Sequence, residues 1–365
     1  MKIVISGYYG SGNAGDEAML DAILGALTNL NTNLEITVIS INPHDTRQRH
    51  NVNAVSHLNI CDIIKIIFSA DLLISGGGSL LQNVTSRRSL YYYLGVITLA
   101  ILFRKPVMLY AQGIGPICGS FARNLTSLIL NHVDLITVRD QGSLTELSQL
   151  KVTHSKIFCT ADPVLALNPA SLEFGSGIVR QGQNKDIKIV GVAVRRWQGF
   201  DRFKSQLAEA LNVISKVVKI RVIFIPMQPS SDVSAAEEIA ALTAGVDCTL
   251  LKDQYSTRQL LSLVGCTDLL IGIRLHALIF AGVQNVPLIG ISYDPKIDRF
   301  LDSIAEVPVG DIESIRAEDI VRAALDKLGN ENSKINESPN WKSLKDKASL
   351  NAKLAVDLIK NRISV

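Results

Sequence analysis

The stretch Leu269–Phe300, LLIGIRLHALIFAGVQNVPLIGISYDPKIDRF, limits the possible folds more than any other. Leu269–Ile273 is an apolar run that reads as a buried strand. It stops at Arg274 and His276, and an apolar helical pattern, Ala277–Val283, begins at once. A second apolar strand, Pro287–Ile291, ends in Tyr293, Asp294, Pro295 and Lys296. Strand, polar turn, helix, strand is the unit of a parallel sheet. In such sheets ligands sit outside the carboxyl ends of the strands. Those ends carry cations, a titratable ring and a carboxylate here, a set suited to an anion that is protonated or deprotonated while held.

The chain has 365 residues, room for two domains of ~100–200 residues each. It is 47% hydrophobic and 19% charged, so a large core is expected and broad disorder is not. A net charge of +3 and 5% aromatic content speak against nucleic acid as a partner. The five cysteines, Cys61, Cys118, Cys159, Cys248 and Cys266, are scattered without metal spacing. They are expected to be reduced, buried thiols of a cytoplasmic protein. Met1 leads straight into a strand, Lys2–Ser6, so no signal peptide is expected. The longest apolar run, Leu90–Phe103, is shorter than a membrane span of ~18–20 residues and is expected to be a buried or interfacial helix.

Taken in order, the strand Lys2–Ser6 runs into the loop GYYGSGNAG and a helix, Asp16–Leu27. Gly7, Gly10, Gly12 and Gly15 let the backbone approach a ligand closely. Asp16 and Glu17 fill the first helical turn and would repel a phosphate. The loop is therefore assigned to a hydroxyl-bearing substrate, with Asp16 or Glu17 able to accept a proton. The alternative is that both acids only cap the helix. Glu35–Ser40 is a second strand, followed by a loop in which His44, Arg47, Arg49 and His50 are expected to be solvated. Asp71–Gln82 reads as a strand, a triple-glycine turn and a helix start; Gly77 and Gly78 suit close ligand approach. Val107–Pro116 repeats the theme with Gln112 at its end, and Leu135–Asp140 ends in Arg139 and Asp140. Residues 1–170 form the first domain, and 171–186, poor in apolar periodicity, the linker. The second domain, 187–330, restarts with the strand Ile187–Val194, which ends in Arg195, Arg196 and Trp197. Residues 331–365 hold a polar connector and a basic amphipathic helix, Lys342–Arg362, with Leu350, Leu354 and Leu358 on one face and Ala355 and Ile359 beside them. Such a helix packs on its own protein or lies on an anionic membrane. The fold class is α/β, two doubly wound domains facing a cleft.

Six segments, SGYYGSGNAGDEAML (6–20), SGGGSLLQN (75–83), AQGIGP (111–116), VRDQGS (138–143), TADP (160–163) and RLHALIFAG (274–282), together resemble the polysaccharide pyruvyltransferases, and within them the CsaB-type enzymes. The resemblance implies two Rossmann-like domains arranged as in GT-B glycosyltransferases. It implies ketal pyruvyl transfer from phosphoenolpyruvate to a sugar. For the CsaB-type branch the acceptor is N-acetylmannosamine on a polyprenyl-diphosphate-linked N-acetylglucosamine, and the product is a 4,6-ketal recognised by surface-layer proteins.

The residues suit that chemistry. Guanidinium forks hold phosphate and carboxylate at two points. Arg195, Arg274 and Lys296 are expected to bind the donor, with Arg196 a competitor for Arg195 because adjacent strand residues point to opposite faces. His276 is the expected acid for the methylene carbon. Arg274 beside it disfavours its protonation, and a bound dianion favours it. Asp16 is the expected base, and Tyr8, Gly10, Asn13, Glu17, Gly77, Gly78 and Gln112 the expected acceptor contacts. No metal and no cofactor is expected, phosphoenolpyruvate being a co-substrate. Two rivals remain: a GT-B glycosyltransferase using a nucleotide sugar, and a non-catalytic carbohydrate-binding protein. A nicotinamide dehydrogenase is disfavoured, because neither half opens with G-x-G-x-x-G and a following acid.

Overall fold

A computed structural model of the chain describes residues 1–30, 33–84, 86–181, 186–330, 335 and 338–363. It divides into two compact units, Met1–Ala166 with Leu344–Val365, and Leu167–Ser343.

The first unit alternates strand and helix: β1 Lys2–Ser6, α1 Ala14–Leu30, β2 Glu35–Ser40, α2 Pro43–His50, β3 Asn53–Ser56, α3 Ile60–Ser69, β4 Leu72–Ser75, β5 Gly78–Leu81, α4 Arg87–Leu102, β6 Val107–Ile114, α5 Ser120–Leu130, β7 Leu135–Val138, α6 Gln141–Gln149 and β8 Lys156–Cys159. The sheet order is β3-β2-β1-β4-β6-β7-β8, with β5 pairing β6, and every pairing is parallel. Parallel strands covered on both faces read as unbroken apolar runs, which is how β4 (LLIS) and β6 (VMLYAQGI) look, and both are buried throughout.

The second unit opens with α7 Glu173–Val179, then β9 Lys188–Ala193, α8 Phe200–Val217, β10 Ile220–Phe224, α9 Pro229–Leu242, β11 Asp247–Leu250, α10 Thr257–Gly265, β12 Leu269–Gly272, α11 Leu275–Val283, β13 Leu288–Gly290, α12 Pro295–Ser303 and α13 Ala317–Gly329. Its sheet is parallel, in the order β11-β10-β9-β12-β13. The last helix, α14 Pro339–Ile363, starts in this unit and continues into the first from Leu344. Its Ala352, Ala355, Val356 and Ile359 join the core around Ile3, Ile5 and Leu20.

Several local expectations change. The loop after β2 is helix α2, N-capped by Asn42 with Pro43 in its first turn. The triple glycine leads into β5, not into a helix. Residues 173–179 of the expected linker form α7, which packs on α10, while 182–185 lie outside the described residues. The weakly apolar region after Leu301 holds α13, whose Ile320 and Ala324 are buried beside α8. Only Cys266 of the five free cysteines is buried; Cys61, Cys118 and Cys159 are exposed. On α14 the expected Ala355 and Ile359 are buried and Leu354 and Leu358 pack against the same core, but Leu350 is exposed. Of the expected connector 331–340, residues 331–334 and 336–337 lie outside the described residues. Among the described residues no helix is long and apolar enough to cross a membrane.

Candidate functional site

In each sheet the strand order reverses beside the unit's first strand, between β1 and β4 and between β9 and β12. Such a reversal leaves a crevice at the carboxyl ends of those two strands. Register decides what lies there. Ala193 pairs with Gly272, so Arg195 and Arg274 each stand two residues beyond a matched pair. Ser6 pairs with Ser75, so the loops from Gly7 and from Gly76 start at one level.

In the second unit Arg195 lies among aromatic rings. Its guanidinium carbon is 4.9 Å from the Trp197 ring and 5.7 Å from that of Tyr293. Nη1 donates to the Tyr293 hydroxyl at 3.3 Å. The two rings meet edge to face, 5.1 Å between centroids. Lys296 Nζ stands 5.4 Å from the same Tyr293 ring and pairs with Asp294 at 3.2 Å. Two cations on one ring repel each other, and an anion held beside them relieves that repulsion. Arg195 Nε is buried with no hydrogen-bond partner among the described residues. Buried donors are rarely left so, and this one marks a place for an acceptor. Arg196 points elsewhere: it pairs with Glu238 and lies 5.0 Å over the Phe200 ring. Strand alternation has separated the two candidates.

Arg274 differs from its expectation. Its Nε donates to Asp232 Oδ2 at 2.9 Å, and its Nη2 donates to Oδ1. Arg274 is 7% exposed and Asp232 0%. Asp232 also accepts from the N–H groups of Met227 and Gln228, at 3.1 and 3.0 Å, and from the Ser231 hydroxyl at 2.9 Å. The fork expected to grip a ligand is thus spent inside the protein, tying the end of β12 to the start of α9. Nη1 is the edge that Asp232 leaves over. His276 follows two residues later, half-buried in the first turn of α11. The helices α8, α9 and α11 all start at this edge without a side-chain cap. Of the three, only α11 has no acid in its first turn, and its open N–H groups and dipole favour an anion.

In the first unit the glycine loop is held from below. Gly10 has φ +75°, and a Cβ there would stand 2.3 Å from Ser40 Oγ. Its N–H donates to Glu17 Oε1 at 2.8 Å. Glu17 Oε2 meets His50 Nε2 at 3.0 Å, and His50 Nδ1 meets Asp21 Oδ1 at 2.7 Å. Burial opposes a charge on His50, but the hydrogen bonds to Asp21 and Glu17 outweigh it, and its pKa is pushed up to about 9. No local pattern marks this arrangement: the sequence places His50 in solvent, and its side chain is 2% exposed. Asp21 and His50 also border a cavity of about 810 Å³ with Arg47 and Arg49. Those arginines bond to the Ala54 carbonyl and to Asp45, so both are engaged within the protein.

Five of the expected acceptor contacts therefore have internal partners. Gly10 and Glu17 bond each other, and Asn13 Oδ1 accepts from the Gly15 N–H at 2.9 Å. Gly77 lies against Met19, a Cβ there standing 2.9 Å from its sulfur. Gln112 is fully buried and donates from Nε2 to the Gly76 carbonyl. Tyr8, Asp16 and Gly78 belong to the same two loops: Tyr8 is 41% exposed, Asp16 is half-buried, and a Cβ at the buried Gly78 would lie 3.2 Å from Asp16 Oδ1. Beneath them is Tyr9, fully buried, its hydroxyl against Gly76 and unpartnered among the described residues. Arg139 is paired mainly with Asp162, at 2.9 Å, and donates to Ser79 Oγ at 3.1 Å.

Comparisons with known proteins bear on this site. The family model described as polysaccharide pyruvyl transferase matches residues 13–295. Among relatives, the amylovoran biosynthesis protein AmsJ of Erwinia amylovora is 21% identical over 355 residues, covering 81% of this chain and 84% of that one. Among solved structures, a putative UDP-N-acetylglucosamine 2-epimerase from Listeria monocytogenes superposes with TM-score 0.69 at 12% identity, over 100% of this chain and 96% of that one. The UDP-GlcNAc 2-epimerase of Methanocaldococcus jannaschii gives 0.68 at 14% identity, over 98% and 100%. Anabaena HepE, in complex with UDP-glucose, gives 0.64 at 12%, over 100% and 99%. At these identities the likeness concerns the fold, which is GT-B-like.

Proposed function

We propose, taking as premise that the chain belongs to the polysaccharide pyruvyl transferase family, that it moves a pyruvyl group from phosphoenolpyruvate onto two hydroxyls of one sugar as a ketal. It is a transferase acting on polysaccharide by that membership. The observation that carries the donor assignment is Arg195, with a buried Nε that has no hydrogen-bond partner among the described residues, sharing the Tyr293 ring with Lys296.

In the proposed reaction a proton from His276 adds to the methylene carbon of phosphoenolpyruvate, leaving the central carbon electron-poor. One sugar hydroxyl adds to that carbon and gives its proton to Asp16. The bond from carbon to the phosphate oxygen breaks, and inorganic phosphate leaves. The second hydroxyl adds in turn, and its proton leaves with the phosphate. Arg195 and Lys296 offset the donor's negative charge. Arg274, held by Asp232, positions the start of α11 and turns Nη1 to the same task. Tyr8, Asp16 and Gly78 of the first unit are the proposed acceptor contacts. No step requires a cofactor or a metal.

The finer acceptor is proposed from the motif resemblance: N-acetylmannosamine of a polyprenyl-diphosphate-linked disaccharide, modified as a 4,6-ketal during secondary cell-wall polymer synthesis, with the enzyme at the inner membrane face. Phosphate release from phosphoenolpyruvate tests the reading. It should depend on the synthetic diphospho-lipid disaccharide and vanish when either is omitted. One observation favours a second reading: a structural neighbour is described in complex with UDP-glucose. A nucleotide-sugar transferase would release nucleoside diphosphate instead, and no phosphate.

A further inference from the structure

The outer helices of the first unit carry an apolar face that its core does not use. α3 carries apolar side chains on two sides: Ile63 and Ile67 face the core, while Ile60, Ile64 and Phe68, spaced four apart, are exposed beside Asp62 and Lys65. Leu58, Ile60, Phe68, Leu102 and Phe121 are 65–76% exposed. They form one surface because α4 packs against both α3 and α5. Phe68 meets Phe103 at 5.5 Å, and Tyr91 meets Phe121 at 6.3 Å. A helix apolar on its solvent side is normally covered by something.

Charge says what covers it. From His57 to His132 the chain has six lysines and arginines, Lys65, Arg87, Arg88, Arg104, Lys105 and Arg123, against two acids, Asp62 and Asp71. Arg123 is answered from outside the segment by Glu146 at 2.7 Å, which leaves an excess of three cations, as large as the net charge of the whole chain. Lys105 lies 5.7 Å over the Phe68 ring, so cation and apolar group occupy one place. A second copy of the chain is a poor occupant, because an isologous contact sets this cationic face against itself with few acids to answer it. An anionic lipid surface accepts both features, apolar side chains at the acyl boundary and cations at the headgroups.

We propose that the α3–α4–α5 face docks the protein on an anionic membrane surface. Arg87 and Arg88 begin α4 and Phe121 lies in the first turn of α5, helices that start at the carboxyl edge of the sheet, where the glycine loops lie. The docked face thus adjoins the loops assigned to the acceptor, and to that extent the inference rests on the proposed lipid-linked substrate.

Co-sedimentation with vesicles tests it. The protein should pellet with phosphatidylcholine vesicles containing phosphatidylglycerol, and not with phosphatidylcholine alone. Binding should weaken with salt. Replacing Ile60, Ile64 and Phe68 together by Ser should lower it roughly tenfold or more. Arg87→Gln with Arg88→Gln should lower it about fivefold per charge and flatten the salt dependence. Phosphate release with a water-soluble acceptor should stay unchanged in both variants. Failure of the parent protein to bind the anionic vesicles overturns the proposal, as does a solution dimer that the triple variant dissociates. Vesicle binding without acceptor-dependent phosphate release would instead count against the proposed reaction and leave this surface standing.

Discussion

Arg195 and Arg274 leave the same sheet edge with different partners, rings for one and a buried carboxylate for the other. The difference makes their replacements behave differently. Arg195→Lys keeps a charge but loses the planar stack and the free Nε, so phosphoenolpyruvate should bind about tenfold more weakly by titration calorimetry, with thermal stability unchanged. Arg274→Ala should destabilise first, because it leaves the buried charge of Asp232 without its guanidinium partner, a change that costs about 3–5 kcal/mol. The double replacement Arg274→Ala with Asp232→Ala should recover part of that loss in denaturant melts. A stable Arg274→Ala protein that simply fails to bind the donor would show that the Asp232 pairing contributes little and that Arg274 acts on the ligand alone. His276→Gln should leave donor affinity intact and remove turnover, read as calorimetric binding without phosphate release.

At the level of elements, the glycine loop depends on a helix that does not touch substrate in the proposed scheme. α2 delivers His50, His50 holds Glu17, and Glu17 holds the Gly10 N–H. The His50 pKa is raised from 6.5 to about 9 in the folded protein. Its contribution is therefore fully present below about pH 6.5 and lost as pH rises through 9, and the shift is worth roughly 3 kcal/mol. His50→Ala should lower the melting temperature near pH 6.5 and by much less near pH 9.5. An equal loss at both values would contradict the pairing. None of this was legible, because α2 (PHDTRQRH) has no apolar face to mark it as a helix. The strands were legible, because buried parallel strands are continuous apolar runs: β6, β9 and β12 stand where the pattern places them. α14 was legible as a helix and in most of its inward face, since Leu354, Ala355, Leu358 and Ile359 all meet the core and Leu350 alone of that row is exposed. Asp232 stood in plain view after Pro229, yet its partner lies 42 residues on, a separation no local pattern encodes.

For the whole molecule, sequence order alone could not say which strand ends meet. The two sheet reversals do, and each brings a pair of loops to one edge of its own unit. The arginines, the histidine and the tyrosine were visible as strand-end residues; that Arg195 rather than Arg196 faces Tyr293 was not. Which unit carries α14 was also hidden, since a helix near the chain's end has no sequence mark of its docking place. Removing residues 344–365 should strip the cover from Ile3, Ile5 and Leu20 and unfold the first unit at lower denaturant, seen as an earlier separate transition. The most direct measurement of the reaction itself is the mass of a synthetic diphospho-lipid disaccharide after incubation with the protein and phosphoenolpyruvate. A gain of one pyruvic acid less one water, with one phosphate released for each acceptor changed, is the expected result. An acceptor of unchanged mass, or one that gains a sugar when a nucleotide sugar is supplied, would contradict ketal transfer.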